Sequence, residues 1–235
     1  MNILDWPSEL PLFDVVDLWL SGSTSSSGVG LDGREQILWR ENRVWRGALS
    51  LPALRGSQPM RLRALAAQLR GRFGRFRIPI CNRFTPRLQT TEADFLAKIG
   101  ISATDIANGY SPWSDGTLFT DGTGWALPTS AEPVIAFAAP SGARIIHMEN
   151  YIGRHIEVGA YFSINDFLYR VVENVDGAVS FDPPLREAVI AGSTVNVSAP
   201  MFVCRLVSDD GMRVPEHHVR ITPSVGIEVV EAFDR

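Results

Sequence analysis

The sequence predicts a mainly β protein, with a β-sandwich or barrel body that carries one amphipathic helix and with a second small β-barrel-like module. Three observations lead to this fold class. Short apolar runs recur with turn signals roughly every 8–12 residues. Gly and Pro number 20 and 15 among 235 residues, as is typical of a turn-rich chain. One long segment repeats its apolar residues at helical spacing. Apolar residues make up 45% of the chain, which is enough for a substantial core.

The N-terminal β body is expected over residues 1–88. Its first predicted strand runs through the apolar segment from Phe13 to Leu20, whose length also allows a helix. A terminal strand within residues 217–233 is expected to return to this body and to close the fold, because such a strand often pairs with the N-terminal sheet.

The segment that follows the first strand predicts a loop and then a hairpin. Ser21 to Gly30 is rich in Ser and Gly, which indicates a flexible loop. The apolar runs Gln36–Trp39 and Arg43–Leu49 flank three polar residues, and this spacing predicts that they pair with each other. Trp39 and Trp45 would bring large areas into a core or an interface.

Residues 58–70 predict the helix of the body. Ser57 can cap it, Pro59 fits its first turn, and Gly71 follows its end. The apolar residues lie at positions i, i+3, i+4 and i+7, so they form one stripe along the helix: Leu62, Leu65, Ala66 and Leu69.

Residues 89–140 interrupt the strand pattern and predict a loop-rich insertion or arm. The segment from Tyr110 to Thr129 is dense in Gly, Asp, Ser, Thr and Pro, with two Asp-Gly turns. Its aromatic residues Trp113, Phe119 and Trp125 are candidates for stacking against a glycan.

Residues 141–208 predict the second β module. Asn165-Asp166 and Asp176-Gly177 separate apolar runs and tolerate the positive φ of tight hairpin turns. Pro183 and Pro184 cannot continue a central strand, because neither has an N–H group to donate. A last strand, from Met201 to Leu206, is expected to complete this module.

The order of several short motifs resembles one family of viral tail proteins. In the second module these are Gly153, Gly159 to Ile164, Leu168 to Val171, Pro183 to Arg186, Gly192, Val195, Pro200, Phe202 and Arg205-Leu206. Earlier in the chain they are Trp45 to Gly47, Leu69 to Arg72, Phe76 to Pro79, Ser114 to Gly116 and Thr120 to Gly122. Together these motifs are similar to the distal tail protein of siphophage-type bacteriophages and their prophages, and they cover most of the chain.

This resemblance implies a structural virion protein at the tail tip, made in the host cytoplasm. It implies a homohexameric ring that joins the tail tube to the tail-tip hub or baseplate, so the expected partners are copies of the chain, the tail tube protein and the hub or baseplate proteins. A neighbouring hub component of the same tail tip is an alternative. A glycan-binding module for host recognition is another.

Charge is distributed unevenly along the chain. Residues 1–33 hold five acids and no base, whereas residues 34–87 hold thirteen arginines and two acids. Because arginine suits bidentate pairing at interfaces, basic and acidic surfaces of neighbouring copies could pair. The candidate subunit-interface residues are Arg61, Arg63, Arg70, Arg72, Arg75 and Arg77. The arginines also invite a nucleic-acid interpretation, but no known nucleic-acid motif surrounds them, so no nucleic-acid partner is expected.

No motif in the chain calls for catalysis. It has no H-E-x-x-H helix, no Cys/His spacing for zinc and no G-x-S-x-G turn. We therefore expect no enzyme activity and name no catalytic, metal-binding or cofactor-binding residue. The N-terminus shows no secretory signal, and no apolar run is long enough for a membrane span, so no membrane partner is expected.

Overall fold

The protein is described by a computed structural model in two compact units. Unit 1 comprises residues 1–80, 165–168 and 201–235, and unit 2 comprises residues 81–164 and 169–200. The described residues are 3–22, 24–39, 43–80, 101–108, 110–113, 116–122, 124–126, 132–149, 156–214 and 221–234. The mainly β fold class is confirmed, with several sheets, one of which curls into a half-barrel, and with two α-helices in the ranges just given.

Unit 1 is built on a six-stranded sheet. Its strands are β1 (Leu4–Asp5), β2 (Val15–Leu20), β5 (Trp45–Leu51), β7 (Phe76–Pro79), β15 (Met201–Leu206) and β17 (Val225–Glu231). Their order is β1-β7-β15-β17-β5-β2, and all neighbours are antiparallel except the β1–β7 pair. The last strand pairs along its length with β5, so the C-terminal strand lies in the N-terminal sheet.

The core of this sheet follows from strict alternation along β5 and β17. Trp45, Leu49 and Leu51 face inward on β5, and the residues between them are more exposed. Gly47 occupies the remaining inward position because a Cβ there would lie 2.6 Å from the Leu18 side chain. Central strands with this period bury one face and leave the other open.

Helix α1 (Gln58–Leu69) has the predicted position and the predicted apolar stripe. Leu62, Leu65 and Leu69 are buried. The side chain of Ser57 makes no capping hydrogen bond, so this part of the prediction is wrong. Instead the helix begins with Ser57 in a helical conformation, and its carbonyl accepts from the Arg61 N–H at 3.1 Å.

The end of α1 differs by one residue from the prediction. Arg70, and not only Gly71, adopts the left-handed conformation, with φ of 52°. A single 3-10 turn, Gly71–Phe73, then leads into β7. The short strand β6 (Leu54–Arg55) precedes α1 and pairs with β16 (Ile221–Thr222).

The predicted pairing around Trp39 is wrong. Strand β4 (Glu35–Trp39) pairs with β3 (Thr24–Val29), whereas β5 pairs with β2 and β17. Most of the predicted Ser/Gly loop is therefore a strand. The turn lies at Asp32-Gly33, where the Gly30 N–H donates to the Arg34 carbonyl at 2.8 Å and Gly33 has φ of 75°.

Strand β15 also differs from the sequence expectation. The sequence predicts that it belongs to the second module, but it lies between β7 and β17 in unit 1. Phe202, Val203 and Cys204 are all fully buried, so this strand is apolar on both faces. Such a run indicates a central strand but does not specify which sheet holds it. The other boundaries of the predicted domains stay predictions.

Unit 2 contains a five-stranded sheet in the order β10-β11-β14-β13-β12. Its strands are β10 (Val134–Ile135), β11 (Ile145–Glu149), β12 (Tyr161–Ile164), β13 (Phe167–Val175) and β14 (Ala178–Asp182). The two predicted hairpin turns are confirmed: Asn165, Asp166 and Asp176 have φ of 50°, 63° and 49°. Phe162, Tyr169 and Phe181 form an aromatic centre in the core, with ring centroids 5.2 to 5.6 Å apart.

The predicted arm, residues 89–140, is described only in part. Residues 89–100 lie outside the described residues. Beyond them the structure has α2 (Ala103–Asn108) and the two-stranded sheet of β8 (Tyr110–Ser111) and β9 (Trp125–Ala126). Whether this segment projects stays a prediction. Neither helix in the described ranges has the length and apolar character needed to cross a membrane.

Candidate functional site

The structure divides the six candidate interface arginines into two groups. Arg61, Arg75 and Arg77 pair with acids of the same chain. Arg61 lies 3.6 Å from Glu9, and the largely buried Arg75 lies 3.8 Å from Asp234, which also pairs with Arg205. Arg63 is half-buried on α1. The first group therefore consists of arginines whose side chains are paired or partly buried within unit 1: Arg61, Arg63, Arg75 and Arg77.

Arg77 pairs with two acids of the same chain. Its guanidinium lies 2.7 Å from Asp5 and 2.8 Å from Asp166. Hydrogen bonding first to Asp5 and then to Asp166 raises the pKa of Arg77. Asp166 lies at the tip of the β12–β13 hairpin, in the part of the chain that belongs to unit 1. Arg77, on β7, therefore links this hairpin tip to β1, so its side chain has a structural role inside the chain.

Arg70 and Arg72 form the second group. Both side chains are exposed, and neither makes an ion pair with any acid in the described parts of the chain. The backbone N–H of Arg72 donates to Asp209 at 3.0 Å, which fixes the 3-10 turn. The same turn presents Phe73, of which 66% is exposed. We call Arg70, Arg72 and Phe73 the basic surface.

The β3–β4 hairpin (residues 24–39), a different segment from the predicted insertion at residues 89–140, is exposed along its whole length, and from here on we call this hairpin the arm. Every residue of both strands is exposed. Ile37 and Leu38 point to opposite faces, since neighbouring residues on a strand alternate, and 62% and 61% of them are exposed. Further exposed apolar side chains of the arm are Val29, Leu31 and Trp39. The arm thus has no covered face in the described part of the chain.

Strand β2 presents a second unusual surface at one edge of the six-stranded sheet. Val15, Asp17 and Trp19 alternate with inward residues and are exposed, and Asp14 just before them is exposed as well. We call Asp14, Val15, Asp17 and Trp19 the acidic surface. Across the strand pair, Trp19 faces Arg46, and Asp17 faces Ala48.

Trp113, Phe119 and Trp125 do come together, as a cluster in unit 2. Their ring centroids are 5.1, 5.5 and 5.9 Å apart, and every pair meets edge to face. Rings this close leave no room for a ligand between them, so the cluster is not a cage. Each ring is still 39% to 52% exposed, so outer ring faces remain open to solvent.

No metal centre is found in the described ranges, where no group of three or more His, Cys, Asp or Glu side chains could hold an ion. The arm and the exposed face of β2 are surfaces that the sequence interpretation missed. The dipeptide Asp32-Gly33 was the available signal, because this pair favours a tight hairpin turn. It stands between the Ser-rich strand and the apolar strand.

A scan of the chain against models of known protein families found no match, and a search of curated protein sequences found none either.

Proposed function

We propose that the chain is a structural subunit that assembles with copies of itself into a ring, the distal tail ring of a siphophage-type tail. In this role it joins the tail tube to the hub or baseplate at the tail tip. The order of motifs in the sequence supports the choice of virion component. The exposed arm is the single structural observation that supports self-assembly.

The arm supports assembly because of its energetics as a lone hairpin. A two-stranded hairpin is marginal in water unless a third strand or another element covers it. Ile37, Leu38 and Trp39 expose large apolar areas, and burying one such side chain contributes about 1.5–3 kcal/mol. A neighbouring subunit that covers the arm supplies both the missing contacts and the stabilisation. Symmetry then repeats each contact around the ring.

Replacing the apolar side chains of the arm tests its part in assembly. The variant Ile37→Ser/Leu38→Ser/Trp39→Ser is expected to remain folded and to lose self-association, as measured by size exclusion with light scattering. A matched control places serine at three exposed apolar positions of unit 2, Val158, Val172 and Ile190. The control should associate as the unchanged chain does. If the two variants self-associate to the same extent, the arm does not take part in assembly.

The place in the virion needs a separate experiment. Antibodies raised against the purified chain should decorate one end of the tail, the end distal to the head, in electron micrographs of particles that encode it. Labelling along the tube, on the head or on no part of the particle would contradict the proposed position.

A glycan-binding role is a second candidate, favoured by the cluster of Trp113, Phe119 and Trp125. Flat aromatic faces with exposed outer sides are suited to stacking against sugar rings. Isothermal titration with host-envelope polysaccharide is the test. Binding by the unchanged chain that is lost in Trp113→Ala/Trp125→Ala, but kept in Trp19→Ala, would support this role. Absence of binding would leave the cluster as packing within the β8–β9 segment.

A further inference from the structure

Two surfaces of unit 1 carry opposite charge, and each is centred on an exposed aromatic ring. The basic surface contains the exposed Phe73 and, within three positions of it along the chain, Arg70 and Arg72, which make no ion pair with any described acid. The acidic surface places Val15, Asp17 and Trp19 on one face of β2, and the exposed Asp14 directly precedes this strand. Aromatic residues and arginines are the side chains that contribute most at protein interfaces.

These surfaces lie near opposite edges of one sheet. The basic surface leads directly into β7, and β2 forms the far edge in the order β1-β7-β15-β17-β5-β2. Four strand spacings separate β7 from β2, which is about 19 Å at ~4.8 Å per spacing. Three strands of the sheet, β15, β17 and β5, therefore lie between the two surfaces of a single copy.

We infer that the basic surface of one copy binds the acidic surface of the next. This inference rests on the proposed assembly into a ring and specifies the contact that would build it. Arg70 and Arg72 donate to the carboxylates of Asp14 and Asp17, and Phe73 packs against Trp19 and Val15. Arginine and carboxylate form charge-assisted, often bidentate hydrogen bonds, which fix orientation as well as sign. Each copy offers one surface of each kind, so the contact is head to tail and repeats around an axis.

The neighbouring charges leave this complementarity in place. Arg46 lies opposite Trp19, but Asp17 and the exposed Glu228, which flank Ala48 on its two neighbouring strands, outnumber it on that face. Beside the basic surface, one carboxylate oxygen of Asp209 already accepts the Arg72 backbone N–H. The other candidate arginines with ion pairs inside the chain, Arg61, Arg75 and Arg77, are less able to serve a neighbour.

Charge reversal with mixing tests the inference. The first variant is Arg70→Glu/Arg72→Glu, and the second is Asp14→Arg/Asp17→Arg. Each alone should weaken association at least about tenfold, because like charges then face each other across the contact. Mixed together, the two variants should associate again, since each now offers the surface that the other needs. The recovery also demonstrates that both variants are folded.

A control variant, Glu157→Arg/Glu187→Arg, reverses two exposed acids of unit 2 and should associate as the unchanged chain does. Association is measured by light scattering over a range of protein concentrations. If the unchanged chain associates, two results would show that the basic and acidic surfaces do not form the contact: neither reversal weakens its association, or mixing the two variants restores no association. In either case the ring proposal would stand. If the unchanged chain stays monomeric throughout, the ring proposal fails and this contact fails with it.

Discussion

The indole N–H of Trp45 donates a 2.7 Å hydrogen bond to the carbonyl oxygen of Leu168, 123 residues further along the chain. The Trp45 side chain is fully buried, and its backbone N–H donates to the buried carboxylate of Glu231 at 3.1 Å. Three distant segments of unit 1 thus meet at one residue. Buried polar groups with fixed partners specify one arrangement, since leaving either partner unpaired is costly.

Trp45→Phe should destabilise the protein. The change leaves the Leu168 carbonyl without this donor and removes part of a buried ring, at a combined cost of about 2–4 kcal/mol. Urea unfolding followed by circular dichroism measures the loss. Trp19→Phe is the matched control, because Trp19 is 43% exposed and its replacement should change stability by less than about 0.5 kcal/mol. Equal effects of the two changes would contradict the importance given to this hydrogen bond.

Gly47→Ala should destabilise the six-stranded sheet, whereas Gly226→Ala should not. An added Cβ at Gly47 would lie 2.6 Å from Leu18 Cδ2 and 3.2 Å from Val229 Cγ2, so about 1–3 kcal/mol of overpacking is expected. A Cβ at Gly226 meets nothing within 4 Å. Alanine there reduces the freedom of the unfolded chain and should stabilise by about 0.4–1 kcal/mol. Thermal unfolding of the two variants gives the comparison, and a reversed order would refute the described packing of β5.

The Arg77–Asp166 pair should show a measurable coupling free energy in a double-mutant cycle. Because Arg77 is partly exposed, Arg77→Met combined with Asp166→Asn should give only about 0.5–1 kcal/mol, decreasing in high salt. The raised pKa of Arg77 keeps its contribution fully present between weakly acidic pH and the ordinary range of arginine. Its contribution should therefore stay constant from weakly acidic to weakly alkaline pH and be lost only in strong alkali.

The matched control for this pair is Arg34 with Asp32, which lie 3.9 Å apart and are largely exposed. The same cycle there should give a coupling near zero. A coupling free energy between Arg34 and Asp32 as large as that between Arg77 and Asp166 would show that the shorter distance and lower exposure of the second pair add no stability.

Backbone amides of the arm should exchange with solvent faster than those of the central strands β5 and β17. The arm exposes its backbone hydrogen bonds and lacks a packed face, so it opens at a low free-energy cost. Hydrogen–deuterium exchange with mass spectrometry should find this order in dilute protein. Protection of the arm should rise when the concentration favours assembly. Arm amides that stay unprotected in the assembled state would show that no neighbour covers them.

Local signals in the sequence predicted much of the fold. The hairpin turns at Asn165-Asp166 and Asp176-Gly177 depend on a few neighbouring residues, and the stripe of Leu62, Leu65 and Leu69 depends on helical spacing alone. Long-range pairing was less predictable. The apolar residues of β15 indicate a buried strand without naming its neighbours, so its position between β7 and β17 could not be derived.

The candidate interface residues show the same limit. Thirteen arginines between residues 34 and 87 indicated a basic segment, but sequence cannot tell which of them pair inside the chain. Arg77 and Asp166 are 89 positions apart, and only the folded hairpin tip brings them together. Arg70 and Arg72 are the two candidates that are exposed and make no ion pair with a described acid, and no local pattern in the sequence distinguished them.

Native mass spectrometry of the purified chain, combined with electron microscopy of the same sample, tests the central claim most directly. The account predicts a closed ring of six copies that becomes more populated as the protein concentration increases. A single 25.9 kDa species at every concentration, with no ring in the images, would contradict it.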